Sequence, residues 1–212
     1  MSSSEEILTV LIPLKGRDEY TVRISKYLNH ISTPFRVIFA DGGNSPYIEN
    51  FLKDKSNLPN LKYDYLRYPY DETLGDFHSK MAAATMTLKT PYVLLHDNDD
   101  FFITETIQKC ISFLNQNPDY NTARGKKYDL HVAHGVYGQP AITGEMYTEY
   151  PNPVMAGTVH ERILDQCSRF HSNYHNVRRT KNAQMTYKLI EIIDFTNYRF
   201  AHQAESFLSV VW

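Results

Sequence analysis

The chain has 212 residues, 42% of them apolar and 22% charged, enough for one substantial domain or two small lobes sharing a core. Net charge is −2. No long run of Lys or Arg is present, which argues against a nucleic-acid or anionic-membrane surface; the nearest, Arg178-Arg179-Thr180-Lys181, is short. The two cysteines, Cys110 and Cys167, fall in helix-patterned stretches and suit a reduced, cytoplasmic protein better than a disulfide scaffold. No basic, apolar leader and no membrane-length apolar run is visible.

In chain order, Ile7–Pro13 reads as a buried strand stopped by proline. A polar loop, Leu14–Asp18, leads into a helix running to about Ile31, which Thr33-Pro34 ends. Phe35–Ala40 is a second strand, closed by the turn cluster Asp41-Gly42-Gly43-Asn44-Ser45-Pro46. A short helix over Tyr47–Asp54, a strand over Leu61–Leu66 and a helix over Leu74–Leu88 follow. Then comes Tyr92-Val93-Leu94-Leu95-His96-Asp97-Asn98-Asp99-Asp100, a buried strand running into three carboxylates within four positions. Crowded like charges raise one another's pKa or recruit a cation. Asp97 and Asp99 also suit the N-cap of a following helix.

Strand and helix alternate four times here, which predicts an α/β architecture with a mainly parallel sheet flanked by helices. Ligands of such sheets sit off the carboxyl ends of the strands. Lys15, Arg17, Asp41, Asp97 and Asp99 all fall at such ends, and this convergence favours a metal–diphosphate seat over helix capping. A helix is expected from Thr104 to about Asn117. Beyond it the pattern is less regular. Strands are expected over Tyr128–Val136, Thr143–Thr148 and Tyr174–Arg179, and helices over Val159–Phe170, Lys181–Ile193 and His202–Val211, with turns at Gly135, Gly138, Gly144 and Pro151–Pro153. The histidine spacings His131/His134 and His171/His175 are loose for structural zinc and read better as hydrogen-bonded side chains, one of which can complete a metal site.

Three segments carry a family resemblance: Thr9–Arg17, Phe39–Ser45 and Thr90–Asp100, the last followed by Phe101-Phe102. Together they resemble the GT-A-fold glycosyltransferases of the family-2 type, in a bacterial-type subgroup, with Asp97-Asn98-Asp99 similar to that family's Asp-x-Asp signature. The match is good over residues 7–115 and weaker from Glu161 onward. It departs from the family where Ala40 stands in place of a second acid before Asp41, and where Gly75–Lys80 replaces a Gly-x-x-x-x-Arg-Asn segment.

The resemblance implies one GT-A domain over 1–212, with a nucleotide-sugar half (1–120) and a smaller acceptor-side α+β half (121–212). It implies transfer of a sugar from a nucleotide diphosphate sugar, UDP first, to a glycan or other hydroxyl acceptor, with inversion and with Mn²⁺ or Mg²⁺. Lys15, Arg17, Asp41, His78, Lys80 and Asp97 are then nucleotide-binding, and Asp97 and Asp99 metal ligands. Asp41 also fits an Asx-turn capping its own loop. The base is sought among Glu145, Glu149, Glu161, Asp165, Glu191, Asp194 and Glu205. Glu205 is preferred for its place in a late acidic motif, although the family's usual base is an Asp where Ser206 stands. Two other readings remain. One is a non-catalytic nucleotide- or sugar-binding module on a degenerate transferase scaffold. The other is a different metal-dependent nucleotide enzyme, disfavoured because the first strand ends in Pro13-Leu14-Lys15 with no nucleophilic Asp, and the loop after it has a single glycine, Gly16.

Overall fold

A computed structural model describes residues 7–129, 132–134, 140–142, 147–149 and 153–211. The chain forms two compact units. One comprises residues 7–124 and 172–211; the other is Gly125–His171.

The first unit is built on a six-stranded sheet. Its strands are β1 (Leu8–Leu14), β2 (Arg36–Asp41), β3 (Tyr63–Arg67), β4 (Tyr92–Leu95), β5 (Thr122–Ala123) and β10 (Val177–Arg179), in spatial order β3-β2-β1-β4-β10-β5. The first four run parallel. The late strand β10 lies antiparallel between β4 and β5, with Val177 opposite Leu94 and Arg179 opposite Tyr92. The mixed α/β class and mainly parallel sheet expected from the strand–helix alternation are therefore observed.

The helices of this unit are α1 (Asp18–His30), α2 (Pro46–Lys53), α3 (Leu74–Met86), α4 (Thr104–Gln116), α6 (Thr180–Ile193) and α7 (Tyr198–Val211). Strand periodicity splits their core in two. Leu8, Val10, Ile12 and Leu14 of β1 face Ile24 and Leu28 of α1, Ile48 and Leu52 of α2 and Ile107, Ile111 and Leu114 of α4. Leu11, between them, joins Met81 and Ala84 of α3 and Ala183 and Tyr187 of α6 on the other face. Burying each such Leu or Ile is worth roughly 1.5–3 kcal/mol. Local signals fix the helix starts. Ser45 caps α2 ahead of Pro46, and Thr73 and Asp76 form a capping box on α3. No described helix is long and apolar enough to cross a membrane.

The second unit holds β6 (Lys127–Asp129) paired antiparallel with β9 (Tyr147–Glu149), β7 (Val132–His134) paired antiparallel with β8 (Pro140–Ile142), and α5 (Val159–Ser168). Thr158 and Glu161 cap α5 reciprocally. Glu145, His131, Gly135, Gly138, Gly144, Pro151 and the side chains of Glu149 and His134 lie outside the described residues.

Both cysteines are free thiols; Cys110 is buried on α4 and Cys167 is exposed on α5. Burial pushes the Cys110 thiol up to about 11, so its reactive thiolate is scarce at pH 8. One thiol per native chain, Cys167, is expected to react rapidly with a disulfide reagent at pH 8, and two after denaturation. Two rapid thiols in the native protein would contradict the placement of Cys110.

Candidate functional site

The carboxyl ends of β1, β2 and β4 lie side by side, because the parallel register sets Leu14 beside Asp41 and Leu11 beside Leu95. The loop after β1 turns sharply. Gly16 and Arg17 both take left-handed backbone angles, with φ of 65° and 55°. That geometry is open to glycine but uncommon for arginine, and such strain is often found at functional loops. It brings the Arg17 carbonyl onto the backbone N–H groups of Tyr20 and Thr21, opening α1.

The acidic loop after β4 is fastened to α1. Buried Asn98 donates to Thr21 Oγ1 at 2.9 Å. Arg23 Nη2 donates to the Asp99 carbonyl at 3.0 Å, and Tyr27 Oη to the Phe102 carbonyl at 2.8 Å. The Asp99 carboxylate is engaged by Arg17 Nη1 at 2.5 Å. Asp99 therefore faces the β1 loop.

Asp97 meets other partners. Its carboxylate, that of Asp100 and the imidazole of His175 each offer a ligand atom, all within 4.8 Å of one another. His175 Nε2 stands 3.6 Å from Asp97 Oδ2 and 3.4 Å from Asp100 Oδ2. The antiparallel register of β10 explains the histidine. Continued two residues beyond the Val177–Leu94 pair, it sets His175 beside His96, and their ring centroids are 5.9 Å apart. The structure thus groups Asp97 with Asp100 and His175, whereas the sequence expectation grouped it with Asp99. Two carboxylates and one imidazole suit a hard or borderline divalent cation such as Mn²⁺.

Asp41 is buried, and its carboxylate is engaged by the chain. Oδ1 accepts from Gly43 N–H at 2.7 Å, an Asx-turn, while Oδ2 accepts from Tyr65 Oη at 2.6 Å and lies 3.3 Å from Arg67 Nη1. Lys80 is also internal. Its ammonium pairs with the buried Asp71 carboxylate and donates to the Leu14 carbonyl at 3.0 Å. Burial pushes the Lys80 ammonium down and the Asp71 carboxyl up, each against its partner's pull. Asp71 sits so close to Gly42 that a Cβ there would meet Asp71 Oδ1 at 2.2 Å, so any side chain at position 42 would displace the Asp71 carboxylate from its place against Lys80. Lys15 is exposed, its ammonium 5.3 Å from the Tyr70 ring centroid.

His78 and Glu205 are separate from these cations and share a cavity of about 110 Å³. Its wall runs from Asp97 and His175, both partly exposed, past half-buried Tyr174 to buried His78, Tyr187 and Glu205. Burial pushes the His78 imidazole down, opposed by Asp194, which favours the neutral ring. Glu205, on α7, is 3% exposed and is ion-paired with Arg178 of β10, itself 1% exposed. Arg178 also donates to the carbonyls of Asn173 and Tyr174. Among the other acids weighed as base, Glu161 closes a capping box and Asp165 pairs with Arg169. Asp194 is the left-handed C-cap of α6. Asp71, Asp100 and Arg178 were not singled out in the sequence for these roles. His175 was one of several histidines offered to complete a metal site, and the β10 register is what distinguishes it from the others.

No protein-family model and no curated protein matches the chain. Among solved structures, residues 1–349 of S. aureus TarS in complex with UDP-GlcNAc align at TM-score 0.56 and 14% identity, covering 96% of this chain and 54% of that one. The same protein in complex with UDP aligns at TM-score 0.54 and 16% identity, with coverages of 96% and 54%. The 4-diphosphocytidyl-2C-methyl-D-erythritol synthase of Anaerococcus prevotii aligns at TM-score 0.51 and 11% identity, covering 92% and 81%. The chain therefore spans just over half the length of the TarS chains it matches. At these identities the likeness is one of architecture, and the chain has a GT-A-like α/β fold.

Proposed function

We propose that the chain is a metal-dependent glycosyltransferase that moves a sugar from a nucleotide diphosphate sugar, UDP first, to a hydroxyl acceptor with inversion. The observation that carries this reading is the Asp97–Asp100–His175 group at the carboxyl end of β4, opening onto a cavity that holds a further carboxylate, Glu205. Its place in a GT-A-like fold supports it.

In this reading Asp97, Asp100 and His175 hold Mn²⁺ or Mg²⁺, which when bound neutralises the leaving diphosphate as a Lewis acid. Lys15 and Arg17, on the exposed β1 loop, face the diphosphate. Asp41 presents the nucleoside side through its turn. Lys80 acts on the site through the Leu14 carbonyl and Asp71. A Glu205 carboxylate oxygen takes the proton of the acceptor hydroxyl as the hydroxyl oxygen attacks the anomeric carbon and the bond to the diphosphate breaks on the opposite face. Arg178 fixes the orientation of Glu205.

A second reading, nucleotidyl transfer, draws on the fold likeness to the Anaerococcus synthase. The two readings differ in the bond that breaks: the anomeric C–O bond to the diphosphate in glycosyl transfer, the P–O bond between the α- and β-phosphates in nucleotidyl transfer. A nucleotide sugar that yields UDP supports glycosyl transfer, and a nucleoside triphosphate that yields pyrophosphate supports the alternative.

Calorimetric titration with UDP tests the metal centre. Wild type is expected to bind UDP at least tenfold more tightly with Mn²⁺ than with EDTA. Asp100→Asn and His175→Ala are expected to remove that difference, because loss of one of three protein ligands cripples such a site. Asp99→Asn is expected to keep it. Equal binding of UDP by wild type in EDTA would remove the metal, and loss of the difference in Asp99→Asn alone would return the ligand role to Asp99.

A further inference from the structure

Buried polar atoms in folded proteins nearly always have hydrogen-bond partners, so exceptions gathered in one place point to a missing one. Two of the buried side-chain atoms without a hydrogen bond among the described residues belong to residues lining the cavity beside the acidic cluster. They are His78 Nδ1 and Tyr174 Oη. They come from different elements, α3 and the segment before β10, and face a cavity that also holds the ion-paired Glu205 of α7. His78 and Glu205 are 4% and 3% exposed. Much of the remaining wall is apolar or aromatic, including Phe77, Ile190 and Ala201. Flat apolar surface with a few convergent polar atoms is how proteins hold a pyranose ring, whose faces are C–H and whose rim is hydroxyl.

Charge narrows the ligand further. Two carboxylates, Asp97 and Glu205, stand on the wall, and among the described residues no Lys or Arg lines it. Glu205 is already matched by Arg178, so an anionic group would be desolvated there with no further Lys or Arg on the wall to meet it.

Resting on the glycosyltransferase reading, we infer that this cavity seats the transferred sugar, that the sugar is uncharged, and that His78 and Tyr174 read its hydroxyls. The mouth at Asp97 and His175 receives the diphosphate end, and the buried end at His78 and Tyr174 receives the far side of the ring. A sugar carrying a carboxylate, such as a uronic acid, is rejected.

The test is calorimetry with Mn²⁺ on the full chain, using UDP, the neutral donors UDP-glucose, UDP-galactose and UDP-N-acetylglucosamine, and the anionic UDP-glucuronate. The readout is each donor's affinity relative to UDP, so that effects on the nucleotide cancel. The best neutral donor is expected to exceed UDP-glucuronate by tenfold or more. Tyr174→Phe keeps the ring and removes the hydroxyl. His78→Phe removes the ring nitrogens, and His78→Gln keeps a polar group. Tyr174→Phe and His78→Phe are each expected to lower the neutral donor's relative affinity by roughly three- to tenfold, the scale of one hydrogen bond. His78→Gln is expected to lose less, and UDP affinity is expected to hold in all three. UDP-glucuronate bound as well as the neutral donors would overturn the charge selection. An unmoved donor-to-UDP ratio in Tyr174→Phe and His78→Phe, with UDP still bound, would overturn the hydroxyl reading alone. Failure of wild type to bind UDP at all would overturn the nucleotide-sugar reading beneath it.

Discussion

Lys80→Met is expected to destabilise the fold by about 3–5 kcal/mol, the usual consequence of stripping one partner from a buried ion pair. The pair is enclosed on both sides, Lys80 being 3% exposed and Asp71 1%. Without the ammonium, Asp71 stays pressed against Gly42 with no cation, and the Leu14 carbonyl loses a donor at the end of β1. Unfolding in urea should show a markedly lower midpoint. The double variant Lys80→Met/Asp71→Leu is expected to recover most of the loss, because a neutral apolar pair removes the charge left in the interior. No recovery would mean that Lys80 acts through Leu14 more than through Asp71. The β1 loop and the turn after β2 are both anchored here, so the single variant should also weaken UDP binding.

Glu205→Gln is expected to lower sugar transfer by on the order of 10²-fold or more while leaving nucleotide affinity in place, the scale for loss of a general base. UDP release from a UDP-sugar, with water as the acceptor, measures it. The same change leaves Arg178 without its counter-charge, costing about 3–5 kcal/mol of stability, so activity alone does not separate chemistry from structure. The double variant Arg178→Met/Glu205→Gln does. It removes the stranded cation and is expected to fold better than Glu205→Gln while staying inactive. Transfer regained in the double variant would make Glu205 a structural partner of Arg178 and send the search for a base elsewhere.

The backbone of the first unit was legible because its signals are local. The predicted helix from Asp18 to about Ile31 is observed over Asp18–His30, and Leu74–Leu88 over Leu74–Met86, one opened by acids and the other by a capping box. Apolar runs between turn residues marked β1, β2 and β4 to within one or two residues. Thr122–Ala123 was missed as a strand, since two residues held only by β10 carry no periodic signal of their own. The last helix is longer than expected, starting at Tyr198 and not His202, because its first turn leaves the large side chains Tyr198 and Phe200 exposed and so does not follow the core-facing period.

Site chemistry was less legible, for a physical reason. Asp97–His175, Arg178–Glu205 and Arg17–Asp99 join residues far apart in the chain, and nothing in a local window encodes such meetings. The acidic run announced that cations matter here. Which acid faces which partner was decided by Asn98 and Arg23 fastening the loop to α1, leaving Asp99 on one side and Asp97 with Asp100 on the other.

The insertion of β10 between β4 and β5 also bears on how the protein is made. β4 has its antiparallel neighbour only when residues 177–179 have been synthesised, more than eighty positions after β4 itself. Until then the nascent chain offers an apolar strand, Tyr92–Leu95, with one unpaired edge, a template for joining other chains. Such distant pairing also slows folding, because the intervening loop must close before the contact forms. A fragment ending near Arg124 would keep the four parallel strands and that open edge permanently. It should accumulate as aggregate on expression, whereas chains released past Arg179 can close the sheet on themselves.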